Sequence, residues 1–204
     1  MRKVVRDGYE RDEYEKTFRA DPVLRRMEAG FLDRLAQELP HNGRVLDLGS
    51  GTGLPYDGYL AGKGLRVTGV DFSPKHLALA RKHVPQAEYI QGDFTQVAFA
   101  PGSFDAVTAF YSIFHIPRRE HPALFAKIHR WLKPGGRILF TLGTGDMECD
   151  EELEWLVAPM MWSSYPPEEN LQILEETGFG VLQTDYEGAP GDAEYHFWLL
   201  GMRK

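Results

Sequence analysis

Apolar residues along this chain follow two rhythms. In short runs they stand side by side; elsewhere they recur at every third or fourth position. The first rhythm predicts buried strands and the second amphipathic helices. Strands are expected over Val45–Leu48, Leu65–Val70, Ala87–Gln91, Phe104–Phe110 and Arg137–Leu142. Their largely unbroken apolar character suits a parallel sheet covered on both faces. Between them lie helical stretches. Asp21-Pro22 provides a cap and a first-turn proline, and Val23, Met27, Phe31, Leu35 and Leu39 then recur at four-residue spacing until Pro40-His41-Asn42-Gly43. Further helices are expected over about 55–62, opened by Leu54-Pro55, over 74–84, over 120–132 with Leu124, Ile128 and Leu132 on one side, and from Pro166-Pro167 to Gly178. Gly135-Gly136 separates the helix over 120–132 from the strand after it. Val181–Glu187 and Glu194–Met202 read as a closing antiparallel pair. Strand–helix alternation of this kind is α/β, with right-handed crossovers.

Two segments stand outside the alternation. Residues 1–20 are polar with Tyr9, Tyr14 and Phe18 interleaved, and predict a partly helical arm. Residues 143–165 pass from the acidic Asp146, Glu148, Asp150, Glu151 and Glu152 to the bulky Met160-Met161-Trp162-Ser163-Ser164-Tyr165. No core element needs them, so they read as a long loop covering a site, as such loops often do.

The chemistry concentrates where the first strand ends. Val45-Leu46-Asp47-Leu48 runs into Gly49-Ser50-Gly51-Thr52-Gly53. A strand, a glycine turn and a helix open a nucleotide-binding βαβ unit. The spacing is Gly-x-Gly-x-Gly, whereas the dinucleotide fingerprint needs its third glycine where Leu54 stands. Asp47, near the end of a buried strand, needs a partner; a ligand ammonium or the N–H groups of the turn could serve. Asp71 ends the second strand about 20 residues past the glycines, where an acid can accept from both ribose hydroxyls. Its alternative is a solvated turn acid. Ser73 and Pro74 then cap and open a helix.

The order of these motifs resembles the class I S-adenosylmethionine-dependent methyltransferases of the small, single-domain kind. The matching residues are Val45–Gly53, Val70-Asp71-Phe72-Ser73, Gly92-Asp93-Phe94, Phe104-Asp105-Ala106-Val107 and Trp131-Leu132-Lys133-Pro134-Gly135-Gly136, within about residues 40–143. The resemblance implies one domain over 1–204. It also implies a three-layer, doubly wound, mostly parallel sheet of seven strands with the last antiparallel. It implies S-adenosylmethionine as cofactor, seated at its methionine end by Asp47, Gly49, Ser50, Gly51 and Gly53. Asp71 would hold the ribose with Phe72 and Ser73 beside it, Asp93 and Phe94 would meet the adenine, and Phe110 would border the site. Asp93 as a turn cap is the plainer role. Such an arm often lies over the cofactor, with Tyr14 the tyrosine by resemblance; packing of the arm is the alternative.

Transfer from a sulfonium needs mainly proximity and a dry site. Aromatic walls suit it, and Phe110, Tyr111, Phe114, Trp162, Tyr165 and Trp198 are available, though core packing explains most of them. His115, just past the fourth strand, is the histidine placed to act as a base, or else to line the pocket. Tyr111, Trp162 and His196 are the candidate substrate contacts. Members that methylate planar amines of nucleic acid carry Asn/Asp-Pro-Pro-Tyr/Phe where this chain has Ala109-Phe110-Tyr111-Ser112. Pyrimidine carbon methylation needs a cysteine there, and Cys149 lies elsewhere. No metal site is expected from Cys/His spacing. A nicotinamide-dependent oxidoreductase and a non-catalytic cofactor-binding module remain the rival readings.

Composition narrows the partners. The chain has 204 residues, 43% hydrophobic and 26% charged, with a formal net charge of −7. An acidic balance makes nucleic acid an unlikely partner, and a small-molecule acceptor the expected one. One cysteine suits a reducing compartment, and neither a signal peptide nor a membrane span is visible. The expectation is a cytoplasmic enzyme, monomeric or homodimeric.

Overall fold

The structure, a computed structural model, describes residues 1–9, 23–155, 158–192 and 195–204. Its centre is a seven-stranded sheet. In chain order its strands are β1 (Arg44–Leu48), β2 (Arg66–Asp71), β3 (Glu88–Gln91), β4 (Phe104–Ala109), β5 (Leu132–Gly143), β8 (Phe179–Glu187) and β9 (His196–Arg203). They lie in the order β3-β2-β1-β4-β5-β9-β8. β1 to β5 are parallel, and β9, the last strand, runs antiparallel between β5 and β8.

Alternation along the strands feeds two cores, one per face. Val45, Val67, Ala106, Leu139 and Leu200 point to the face covered by α2 (Arg26–Glu38) and α3 (Tyr56–Gly62). Their neighbours Leu46, Val107, Ile138, Phe140 and Leu199 point to the other. That face is covered by α5 (His121–Trp131) and α6 (Pro167–Glu176). The continuous apolar runs of β1 and β4 are therefore buried on both sides. A helix α4 (Pro74–His83) packs against β2 and β3 through the buried Leu77 and Ala80.

Several boundaries differ from those the sequence predicts. Asp21 and Pro22 lie outside the described residues, Val23 is 72% exposed, and α2 begins only at Arg26. Its cap is a different pair: the Glu28 carboxylate accepts from the Arg25 backbone N–H at 2.7 Å. Pro55 precedes α3 as its cap rather than joining it. A short 3₁₀ turn, Arg118–Glu120, comes before α5. Leu132 leaves the helix to pair with Phe104, and a register shift across the Gly135 turn restores pairing at Arg137.

The covering segment 143–165 is not a loop. It forms an antiparallel hairpin of β6 (Met147–Trp155) and β7 (Ala158–Ser164). The acidic run hid the strand because β6 faces solvent through Glu148 and Asp150–Glu154, while Ala158 and Met160 of β7 point inward. Against β7 lies α1 (Arg2–Tyr9), the helical arm. Their approach is close: a Cβ on Gly8 would meet Met160 Cε at 2.8 Å and the Pro159 carbonyl at 3.1 Å.

Candidate active site

Strand order reverses between β1 and β4, and a crevice opens beyond their carboxyl ends, the usual ligand position in open α/β sheets. It encloses a cavity of about 390 Å³, within the range of small-molecule sites. Gly49, Gly51, Asp71, Phe72, Asp93 and Phe94 line it from the strand ends. Phe110, Tyr111, Ser112, His115 and Ile116 line it from the segment after β4, and α1 closes it above.

The glycine turn is held by the next strand: the N–H groups of Gly49 and Ser50 donate to the Val70 carbonyl at 2.8 and 3.2 Å. Gly49 has φ of 84°, and a Cβ there would sit 2.4 Å from Ser112 Cβ. Asp71 is braced toward the cavity. Its Oδ2 accepts from Gly51 N–H at 2.9 Å and its Oδ1 from Ser73 N–H at 2.8 Å. Burial raises its pKa, opposed by His76 and by those backbone donors. The carboxylate borders the cavity, where an ionised carboxylate can accept from a ligand hydroxyl. Ser73 itself caps α4, its Oγ accepting from His76 N–H at 3.2 Å.

Asp47 does not line the cavity. It is 3% exposed and lies beneath the turn, where its Oδ1 accepts from Thr108 Oγ1 at 2.7 Å. There it meets Asp57 of α3, 1% exposed, whose Oδ2 accepts from Tyr89 Oη at 3.0 Å. Burial, then the Asp47 charge, pushes the Asp57 pKa well up, so the pair shares one proton. Ser50 and Gly53 also serve from behind. Ser50 packs under Gly69, and Gly53 leaves room for the Tyr89 hydroxyl, which a Cβ would approach to 2.6 Å.

Asp93 faces the cavity with both oxygens engaged. Oδ1 accepts from Thr95 N–H at 2.8 Å and Oγ1 at 2.7 Å, and Oδ2 lies 2.6 Å from Arg2 Nε of α1. Arg2 also pairs with Glu120 and donates to Thr95 Oγ1 at 2.9 Å.

His115 is 7% exposed. Its Nδ1 lies 3.0 Å from the Met161 carbonyl, which can only accept, so Nδ1 carries the proton. Nε2 is then an acceptor, and Tyr9 Oη donates to it at 2.6 Å. Burial lowers the His115 pKa to about 4, against the Met161 bond; the ring is neutral at pH 7.

The other predicted substrate contacts separate. Tyr111 presents its ring to the cavity from a left-handed backbone, φ 52°, and buries its hydroxyl against Glu187 Oε2 at 2.6 Å. Burial, then the charge of Glu28, raises its pKa. Trp162 and His196 do not line the cavity. Trp162 packs beside the His115 ring at 6.1 Å, and His196 stands edge-on to Tyr111 at 5.0 Å. The hairpin folds Trp162 behind the histidine, and β9 lies one layer back. Tyr14 falls outside the described residues.

A family model described as a methyltransferase domain matches residues 45–136. An S-adenosyl-L-methionine-dependent Diels-Alderase of Neonectria is 31% identical over 94% of this chain and 80% of its own. The chain belongs to the class I S-adenosylmethionine-dependent methyltransferase family. A 2-phytyl-1,4-naphtoquinone methyltransferase of Thermosynechococcus vestitus is 36% identical over 63% of this chain. The chain spans only 39% to 61% of the length of this and two other curated methyltransferases it matches. A Pyrococcus horikoshii crystal structure shares the fold, with a TM-score of 0.72, 20% identity, and coverage of 94% of this chain and 99% of the other.

The cofactor is S-adenosylmethionine, and the crevice fits it. Carboxyl groups of Asp47, Asp57 and Asp71 lie together at the glycine turn, the wrong sign for a pyrophosphate and the right one for an ammonium. Asp71, Phe72 and Phe94 line the cavity beside the turn.

Sequence reasoning missed five residues. Arg2, Val5 and Tyr9 line the cavity from α1, and no local pattern points a helix at a crevice. Asp57 also escaped, since an acid in a first helical turn looks ordinary. His76 had a signal: the N-terminus of α4 follows the ribose acid and must edge the crevice.

Proposed function

We propose that this protein transfers a methyl group from S-adenosylmethionine to oxygen, nitrogen or sulfur of a small-molecule acceptor, with His115 taking the acceptor's proton. The bound cofactor supplies an activated methyl group on a sulfonium. One observation carries the reading. A neutral imidazole, its tautomer fixed by the Met161 carbonyl, directs an acceptor nitrogen into the same cavity that the glycine turn and Asp71 border.

The chain's own work is binding and placement. Asp71 would hold the ribose hydroxyls, Asp93 the adenine amine and Phe94 the ring, with Phe72 alongside. Gly49 and Gly51 let the ligand approach the main chain. Asp47, Ser50, Gly53 and Ser73 support this surface from behind. Phe110 and Tyr111 give the reacting centre apolar walls, and Trp162 and His196 back them. α1 and the β6–β7 hairpin exclude water, which strengthens the electrostatic terms inside. Holding donor and acceptor in line can lower a barrier by about 7–11 kcal/mol.

The net charge of −7 supports a small molecule rather than nucleic acid as partner. A cytoplasmic setting, as a monomer or homodimer, fits the single exposed Cys149. The near full-length likeness to a Diels-Alderase supports a second reading, in which the same cofactor serves a reaction without methyl transfer. A mass-shift screen of metabolites with labelled cofactor separates the two. The methyltransferase reading predicts a labelled methyl on an acceptor; turnover of an acceptor without label would favour the second.

A further inference from the structure

We propose that the acceptor is a hydroxyaromatic molecule, and that the phenol of Tyr9 occupies its place in the structure as it stands. This rests on the methyltransferase reading above and names its substrate class.

Three observations carry it. First, the one ring nitrogen of His115 available to an acceptor, Nε2, is already bonded to a phenol, Tyr9 Oη, at 2.6 Å. Second, the slot around that phenol is built of rings. The Tyr9 ring stands edge-on to His115 with centroids 5.2 Å apart and edge-on to His76 at 6.1 Å. Phe72, Phe110 and Tyr111 line the same cavity. Edge-to-face packing of this kind selects a flat aromatic over an aliphatic chain. Third, the base is weak. Burial holds His115 near 4, so it can draw a proton only from a group that is already acidic. A phenol, with a pKa of about 10, meets that need far better than an aliphatic hydroxyl.

The arm carrying Tyr9 is seated independently of it. Arg2 holds the other end of α1 to Asp93 and Thr95, and Gly8 packs on Met160. Tyr9 can therefore yield its place without the helix leaving. In the reaction the acceptor's phenolic oxygen forms the new C–O bond as the S–C bond breaks. Its proton passes to His115 Nε2, and the sulfonium's positive charge is replaced by that of the imidazolium.

The test uses the full chain loaded with S-adenosylhomocysteine and 4-nitrophenol as probe, with 4-nitrotoluene as its isostere without the hydroxyl. Calorimetry compares wild type with Tyr9→Ala. The expected result is that 4-nitrophenol binds the variant about tenfold more tightly, because the competing internal phenol is gone. 4-Nitrotoluene should change less than about threefold, since it makes no bond to Nε2. Equal or weaker 4-nitrophenol binding by Tyr9→Ala, or an equal gain for 4-nitrotoluene, overturns the proposal while leaving cofactor binding intact. Wild type that fails to bind S-adenosylhomocysteine overturns the methyltransferase reading as well. If Tyr9→Ala does not fold, ¹⁵N spectra of wild-type His115 decide: 4-nitrophenol should shift Nε2 and leave Nδ1 protonated, and an unmoved Nε2 overturns the proposal.

Discussion

His115 shows how little of a catalytic role resides in residue type. Its use as a base depends on the Met161 carbonyl, which fixes Nδ1–H, and on burial, which keeps the ring neutral. His115→Ala should lower kcat by about 100-fold, the smaller end of general-base effects, while S-adenosylhomocysteine affinity stays within about threefold. Equal turnover would leave the histidine a wall. Asp57 gives the opposite kind of prediction. Its folded pKa is raised, so the fold binds a proton that the unfolded chain has lost above its ordinary value of 3.8. Stability on this account is complete below that value and falls as pH rises. Asp57→Asn keeps an acceptor for Tyr89 and removes the titration, so denaturant unfolding at pH 8 should show a more stable protein. Asp71 was legible in the sequence because a strand-end acid after a glycine turn has few other duties. Asp47 looked the same yet turned inward, because Thr108 and Asp57 meet it from neighbouring elements. The left-handed Tyr111 was not legible; the nest of Glu187 and Trp198 that fixes it comes from distant β8 and β9.

Among the elements, β1, β2 and β4 could be read directly, since burial on both faces leaves one continuous apolar signature. The hairpin β6–β7 could not, because its outer face is a run of acids that resembles a solvated loop. The arm α1 was anticipated as a partly helical lid, but its register on the crevice depends on Arg2 reaching Asp93 and Gly8 fitting Met160. Arg2→Ala should loosen this arm alone. Its ion pairs are partly exposed and contribute at most about 1 kcal/mol to global stability. Hydrogen exchange should show faster amides over residues 2–9 with the β1–β5 amides unchanged; protection kept in α1 would mean that its packing on β7 suffices.

For the whole molecule, the doubly wound order and the antiparallel last strand follow from the strand–helix alternation together with the family resemblance. Placement of the arm over the crevice came from the family resemblance alone, since no local pattern in the arm carries it. Global stability should carry the mark of two buried neutral histidines, His115 and His121, each held near 4 by burial. A histidine with a lowered folded pKa leaves the unfolded chain with more protons between its ordinary value of 6.5 and about 4, so stability falls as pH drops through that window. The full effect is about 3 kcal/mol for each residue. His121→Phe, which keeps an aromatic beside Phe125 and Tyr165, should remove about half of the loss between pH 6.5 and pH 4. An unchanged acid limb would assign that loss elsewhere. The central claim is that this crevice takes an adenosyl amino acid without phosphates and holds its ribose through Asp71. Titration calorimetry of S-adenosylhomocysteine and of NAD against wild type and Asp71→Ala tests it most directly. One equivalent of S-adenosylhomocysteine should bind wild type and NAD should not, with affinity falling roughly 100-fold in Asp71→Ala as two charge-assisted hydrogen bonds are lost. Tight NAD binding, or S-adenosylhomocysteine affinity indifferent to Asp71, would contradict it.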